Sequence, residues 1–137
     1  SNISERLNLY KELNNLTEEE QIITFIDRLN DRFGAVPKAI YNICDSLRLR
    51  WIAKKIGFER IILKNDSMNN YFLSQADSPY YNSDMFKQAL DYLKSNFGSC
   101  EMIEKKGKLS MRIKNISSIK QALKICKEIN EQNVNQQ

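Results

Sequence analysis

The side chains able to do chemistry are three cysteines (Cys44, Cys100 and Cys126), seventeen carboxylates and a set of lysines and tyrosines; histidine is absent. Without an imidazole the chain cannot build Ser-His-Asp or Cys-His nucleophile activation, nor a His-containing metal site. The cysteines stand at least 26 residues apart, so no CxxC redox or zinc half-site exists. Their odd number and apolar neighbours predict buried, reduced thiols. Glu18-Glu19-Glu20 open a helix, where the dipole favours negative charge, and this explains them without acid–base catalysis. The glycines at 34, 57, 98 and 107 stand alone, with no GxGxxG or GxxxxGK spacing to cradle a phosphate. No catalytic residue and no metal ligand is assigned, and no cofactor is expected in this chain.

Two groupings suit recognition better than catalysis. Asp31-Arg32-Phe33-Gly34-Ala35-Val36-Pro37 joins a helix end, a glycine turn and a proline restart. The corner presents Arg28, Asp31 and Arg32 around an anchored Phe33, with Leu29, Gly34 and Pro37 as its support. It reads either as a packed corner or as a charged docking epitope for a protein partner. The second grouping is Lys105, Lys106, Lys108, Arg112 and Lys114, five cations and no acid within ten residues. It reads either as a solvated hairpin whose lysines guard a sheet edge or as a nucleic-acid patch, although no RNP-type aromatic pattern accompanies it. Arg48, Arg50, Lys54 and Lys55 form a further basic stretch along the margins of a helix.

These residues need elements to hold them, and the chain has the length for about one domain: 137 residues, 42% hydrophobic and 28% charged. Four glycines and two prolines, where average usage would give roughly 16, point to long regular elements. Ile3, Leu7, Tyr10 and Leu13 mark one inward face of a helix over 3–14. Thr17 with Glu20 forms a capping box for a second helix with Ile22, Ile26, Leu29 and Phe33 inward, which Gly34 ends. A third helix, about 38–56, carries two apolar stripes, one with Ile40, Cys44 and Leu47 and the other with Leu49, Ile52 and Ile56, which implies two neighbours and one cooperative unit. Residues 60–64 and 71–74 read as strands flanking a loop over 65–70. A helix capped at Asn82 or Ser83 follows, with Phe86, Leu90, Leu93 and Phe97 inward. Strands 100–104 and 109–114 turn at Lys106-Gly107, and a last helix capped at Ser117 or Ser118 turns Ile119, Leu123, Cys126 and Ile129 inward. The fold class is α+β: three helices packed on a four-stranded, mainly antiparallel sheet in ββα-ββα order. A single domain over 3–130 is expected, with a helical part 3–57, a ββαββα part 58–130 and a polar tail 131–137. The longest apolar runs are three residues, so no membrane span is expected.

Three stretches carry a family resemblance. They are Arg6 to Leu13 (RLNLYKEL), Leu29 to Pro37 (LNDRFGAVP), and Leu47-Arg48-Leu49-Arg50 through Lys55-Ile56-Gly57. With their spacing they resemble the RLxLYxxL, LIDRFGxLP and ARLRxxAxxLGI patterns of the C-terminal domain of bacterial transcription-repair coupling factors, the TRCF domain. The resemblance implies a parent that is an ATP-dependent, helicase-like DNA translocase, using ATP and Mg outside this chain, which displaces stalled RNA polymerase and recruits UvrA in nucleotide excision repair. It implies that this domain is a non-catalytic, autoinhibitory clamp. The clamp docks on the UvrB-like module of the same polypeptide, masks UvrA recruitment and restrains the motor. Asp31 matches the family's signature acid, Arg28 stands where many members carry another acid, and Asn30 replaces an apolar residue. The resemblance further implies a bacterial, cytoplasmic protein touching DNA through the parent motor and no membrane, whose isolated domain is a monomer.

Overall fold

Helix α1 (Asn2–Asn14) buries Leu13 completely and half-buries Leu9 and Tyr10, whereas Ile3 and Leu7 stay exposed. The expected inward stripe is thus rotated. At 100° per residue Leu7 lies about 120° from Leu13, at the margin of the face that Leu9, Tyr10 and Leu13 turn inward. Helix α2 (Glu19–Phe33) buries Ile22, Phe25 and Leu29. Its capping box sits one residue later than expected. Glu18 is the N-cap, and the Gln21 carboxamide oxygen accepts from the backbone N–H groups of Thr17 (2.7 Å) and Glu18 (3.2 Å). Gln21 fits this role because its side chain reaches back to orphan donors at the helix start.

Gly34 then takes φ 81° and ψ −139°, a conformation open to glycine alone without strain, and donates its N–H to the Asn30 carbonyl at 2.9 Å. Pro37 stands just before helix α3 (Lys38–Ile56), its carbonyl accepting from Ile40 N–H at 3.0 Å. The first stripe of α3 joins the core of the helical unit: Ile40, Cys44 and Leu47 cluster with Leu13, Ile22, Phe25 and Leu29. Leu49 and Ile56 on the other stripe are buried too, as is Ala53.

The computed structural model describes residues 2–131, and these fall into two compact units, one ending at Trp51 and one starting at Ile52. The tail expected beyond Glu131 lies outside the described residues.

The second unit is built on strands β1 (Phe58–Lys64), β2 (Ser67–Phe72), β3 (Cys100–Lys105) and β4 (Lys108–Lys114), in the order β1-β2-β4-β3 with every pairing antiparallel. Two-residue turns close both hairpins with positive φ throughout: Asn65 (53°) with Asp66 (57°), and Lys106 (53°) with Gly107 (76°). The first corrects the expected loop over 65–70. Asn and Asp tolerate the left-handed conformation, so the turn needs only residues 65 and 66, and the polar run Ser67 to Asn70 becomes strand.

Met68, Asn70 and Phe72 of β2, with Met111 and Ile113 of β4, form the buried face. Asn70 is fully buried and donates Nδ2 to the Met111 carbonyl at 3.2 Å across the central strand pair. A short 3-10 helix (Pro79–Asn82) precedes helix α4 (Asp84–Ser95), whose N-cap is Ser83, accepting from Phe86 N–H. The buried side chains of α4 are Gln88, Ala89 and Tyr92; the expected inward Phe97 is 83% exposed. The helix ends before Phe97 because Asn96 caps it, its N–H on the Leu93 carbonyl and its Nδ2 on the Tyr92 carbonyl (2.9 Å). Helix α5 (Ile119–Asn130), N-capped by Ser118, buries Ala122, Leu123, Cys126 and Ile129. Gln88 Nε2 joins α4 to the end of α5 through the carbonyls of Ile129 (3.0 Å) and Asn130 (2.6 Å).

The aromatic cluster of the 3-10 segment is invisible in the periodicity. Tyr80, Tyr81 and Phe86 pack edge to face, with ring centroids 5.0–5.4 Å apart, and Phe86 meets Phe72 at 5.4 Å. The Tyr80 hydroxyl donates to the Ile56 carbonyl at 2.5 Å, capping the end of α3, and its ring lies over Gly57. Gly57 has φ 102°, and a Cβ there would fall 2.2 Å from the Tyr80 ring. Gly57→Ala therefore combines backbone strain with a steric clash; a loss of roughly 2 kcal/mol or more is expected in chemical denaturation.

All three cysteines are buried and free. Burial pushes the Cys126 thiol up from 9.0 to about 12. It also pushes the Tyr92 phenol up from 10.0 to about 12, with Cys100 adding to the effect. The folded chain holds these protons where the unfolded chain releases them. Their contribution to stability is therefore full below about pH 9 and is lost as pH rises towards 12. Between pH 8 and 10 the Cys126 share is about 1–2 kcal/mol. Urea unfolding at the two pH values should show this loss, and Cys126→Ala should shrink it.

Candidate interaction surface

Antiparallel packing of α1 on α2 decides what the predicted corner residues do. Arg32 pairs with Glu5 at 3.3 Å and Arg28 pairs with Glu12, so the two arginines lace α2 to α1. Each also covers a ring: the Arg28 guanidinium lies 5.5 Å from the Phe25 centroid, and that of Arg32 lies 4.9 Å from Phe33. Their charges are used inside the helical unit. Asp31, on the same stretch of helix, is exposed, and among the described residues no ion pair or hydrogen bond occupies its carboxylate. Of the three predicted partner-binding residues, only Asp31 offers a free charge.

The support residues divide similarly. Leu29 is buried at 5% exposure, Gly34 makes the turn, and Pro37 sits at the start of α3. Phe33, expected as an anchored core residue, is 52% exposed. It is the last residue of α2, where the chain turns away at Gly34, so no neighbouring element remains to cover its outer side. Phe33 instead walls an apolar hollow of about 370 Å³ whose lining includes Leu9, Tyr10, Leu29, Val36 and Pro37, with Glu5 and Arg6 at its margin. Tyr10 and Leu9 were legible only as helix residues; their share in this hollow comes from the α1–α2 register.

Arg48, from the further basic stretch, is structural. Its guanidinium forks onto Glu19 (2.6 and 2.7 Å) and reaches Asp45 at 3.0 Å, joining the start of α2 to α3. The Glu19 hydrogen bonds raise the arginine's pKa further above its usual range. The basic hairpin is placed on β3, β4 and their turn. Lys105, Lys106, Lys108 and Lys114 are exposed, while Arg112 lies 3.5 Å from Glu101 and 3.4 Å from the Ser67 hydroxyl. Corner and hairpin belong to different units. Among the described residues no group of three or more Cys, Asp or Glu side chains lies close enough to hold a metal ion, and no helix is long and apolar enough to cross a membrane.

The TRCF domain model matches residues 1–83, more than half of the chain, and the chain belongs to that family. It is 31% identical over 88 residues to the transcription-repair-coupling factor of Rickettsia conorii and 28% identical over 88 residues to that of Rickettsia bellii. Each match covers 64% of this chain but 7% of the relative, so the chain spans a small part of those proteins' length. The fold is similar to the crystal structure of a C-terminal domain of transcription-repair coupling factor, with a TM-score of 0.71 at 14% identity over 98% of this chain and 84% of that one. The likeness in fold therefore extends past residue 83, across both ββα units.

The fork on Glu19 gives a direct test of the helical unit. Arg48→Lys keeps the charge but loses the two-pronged geometry, and a loss of about 1 kcal/mol is expected in thermal or urea unfolding.

Proposed function

We propose that this chain is a non-catalytic docking module of a transcription-repair coupling factor, seated on the UvrB-like module of the same polypeptide. Family membership gives the setting. The observation that carries the docking reading is the end of α2: an exposed Asp31 with a free carboxylate and, two residues on, a half-exposed Phe33 that walls an apolar hollow. A large apolar side chain half-exposed at a hollow, with a free charge elsewhere on the same helix end, fits the apolar-core and polar-rim make-up of a binding surface. The hollow is small, which suits a contact that must release when RNA polymerase is engaged, because a modest interface can be displaced by a competing one. In this reading, docking masks UvrA recruitment and restrains an ATP-driven motor that acts on DNA elsewhere in the polypeptide. Arg28, engaged with Glu12, contributes by positioning α2 and not by meeting the partner.

The test is made in the intact coupling factor. Asp31→Arg reverses the free charge and Phe33→Ala removes the anchor; each is expected to raise basal ATPase or UvrA binding about tenfold. Because both residues are exposed, Asp31→Arg should change folding stability by no more than about 0.5 kcal/mol. Wild-type ATPase and UvrA affinity in both variants would refute the docking role.

A further inference from the structure

One face of the sheet packs under α4 and the aromatic cluster; the other carries a pattern that docking through the helical unit leaves unused. Cross-strand register sets Arg60 opposite Tyr71, Tyr71 opposite Ser110 and Ser110 opposite Ile103, with Lys105 opposite Lys108 beside them. These side chains line an open groove of about 780 Å³. Arg60, Lys105 and Lys108 are exposed on its walls, and Lys106 adds a fourth cation from the turn. The acid at its margin, Glu59, already accepts from the Ser74 N–H (3.3 Å) and hydroxyl (3.2 Å). Tyr71 differs from the other tyrosines of this unit. Tyr80 and Tyr81 are committed to the aromatic cluster and Tyr92 is buried in the core, whereas the Tyr71 ring is only half-buried and joins no aromatic pair among the described residues.

We propose that this groove binds single-stranded DNA, with a base stacked on Tyr71 and the flanking phosphates on Arg60, Lys105 and Lys108. The inference is independent of the docking reading, since every residue it uses lies in the strand-bearing unit. Charge complementarity selects a polyanion, and the unpaired ring among the cations selects the kind. A duplex keeps its base faces inside the stack and an acidic peptide has none to offer, so either would engage the lysines and leave Tyr71 idle. Stacking and charge need no 2′-hydroxyl, so DNA suffices for the contacts proposed here.

Fluorescence anisotropy of a labelled oligothymidylate with the full 137-residue chain at low salt tests the proposal. Binding is expected to weaken as salt rises, and removing two cations in Lys105→Gln/Lys108→Gln should flatten the log–log salt slope by about 1.4. Tyr71→Ala should weaken binding about tenfold, while Tyr71→Phe, which keeps the ring, should bind like the parent. Arg60→Gln, at an exposed position, should also reduce affinity severalfold with an unchanged circular dichroism spectrum, so the proposal stands on more than the half-buried tyrosine. Absence of binding at low salt would overturn it. So would equal affinity for a duplex together with no effect of Tyr71→Ala, displacement of the oligonucleotide by polyglutamate at equal charge concentration, or tighter binding to oligouridylate by tenfold or more.

Discussion

Register is the constraint on which the strand-bearing unit depends. Side chains alternate between sheet faces with a period of two, so a slip of one residue would exchange Met111 and Ile113 with Ser110 and Arg112. Two devices prevent this. Both hairpins close through two residues of positive φ, which leaves no slack in the connection, and Asn70 ties the central pair β2–β4 by its side chain to the Met111 carbonyl. An asparagine held there would lose that bond if the pairing moved, and a buried amide without partners costs about 1–3 kcal/mol. The same register that buries the methionines gathers the basic groups on the opposite face.

The helical unit solves the equivalent problem with charge. Glu5 and Glu12 on α1 meet Arg32 and Arg28 on α2, and Glu19 at the start of α2 meets Arg48 of α3. These pairs are half-exposed and individually weak, but their spacing matches only one sliding position of the helices over the core of Leu13, Ile22, Phe25 and Leu47. A consequence for function follows: charge consumed in holding helices together is withdrawn from recognition. A corner that looks triply charged in one dimension therefore presents a single free carboxylate, Asp31.

Both proposed surfaces thus arise as remainders of packing. Phe33 is left uncovered because α2 ends there, and Tyr71 is left unpaired because the five-ring cluster of Phe58, Phe72, Tyr80, Tyr81 and Phe86 forms elsewhere in the same unit. An apolar or aromatic group that folding leaves over is available to a partner at little cost to stability.

Local rules were sufficient for much of the chain. Periodicity and caps located five helices and the Lys106-Gly107 hairpin, because a helix face or a two-residue turn is decided within a few residues. The LNDRFGAVP corner, with Gly34 and Pro37 in it, was legible for the same reason, and so was the family it belongs to. What local pattern could not decide was which member of a plausible set is used. Ile3, Leu7, Phe33 and Phe97 all fit an inward stripe, yet each lies at the margin or past the end of its helix and is exposed. The run Asn65 to Asn70 has loop composition, but only tertiary pairing with β4 turns its second part into a central strand. Arg28 and Arg32 look like Asp31 until α1 supplies Glu12 and Glu5. Arg60, Tyr71 and Lys105 are separated by more than forty residues of chain from end to end and become neighbours only through the sheet. Contacts between distant segments depend on where whole elements dock, and that is set by the sum of many burial and pairing terms that no short stretch of sequence carries.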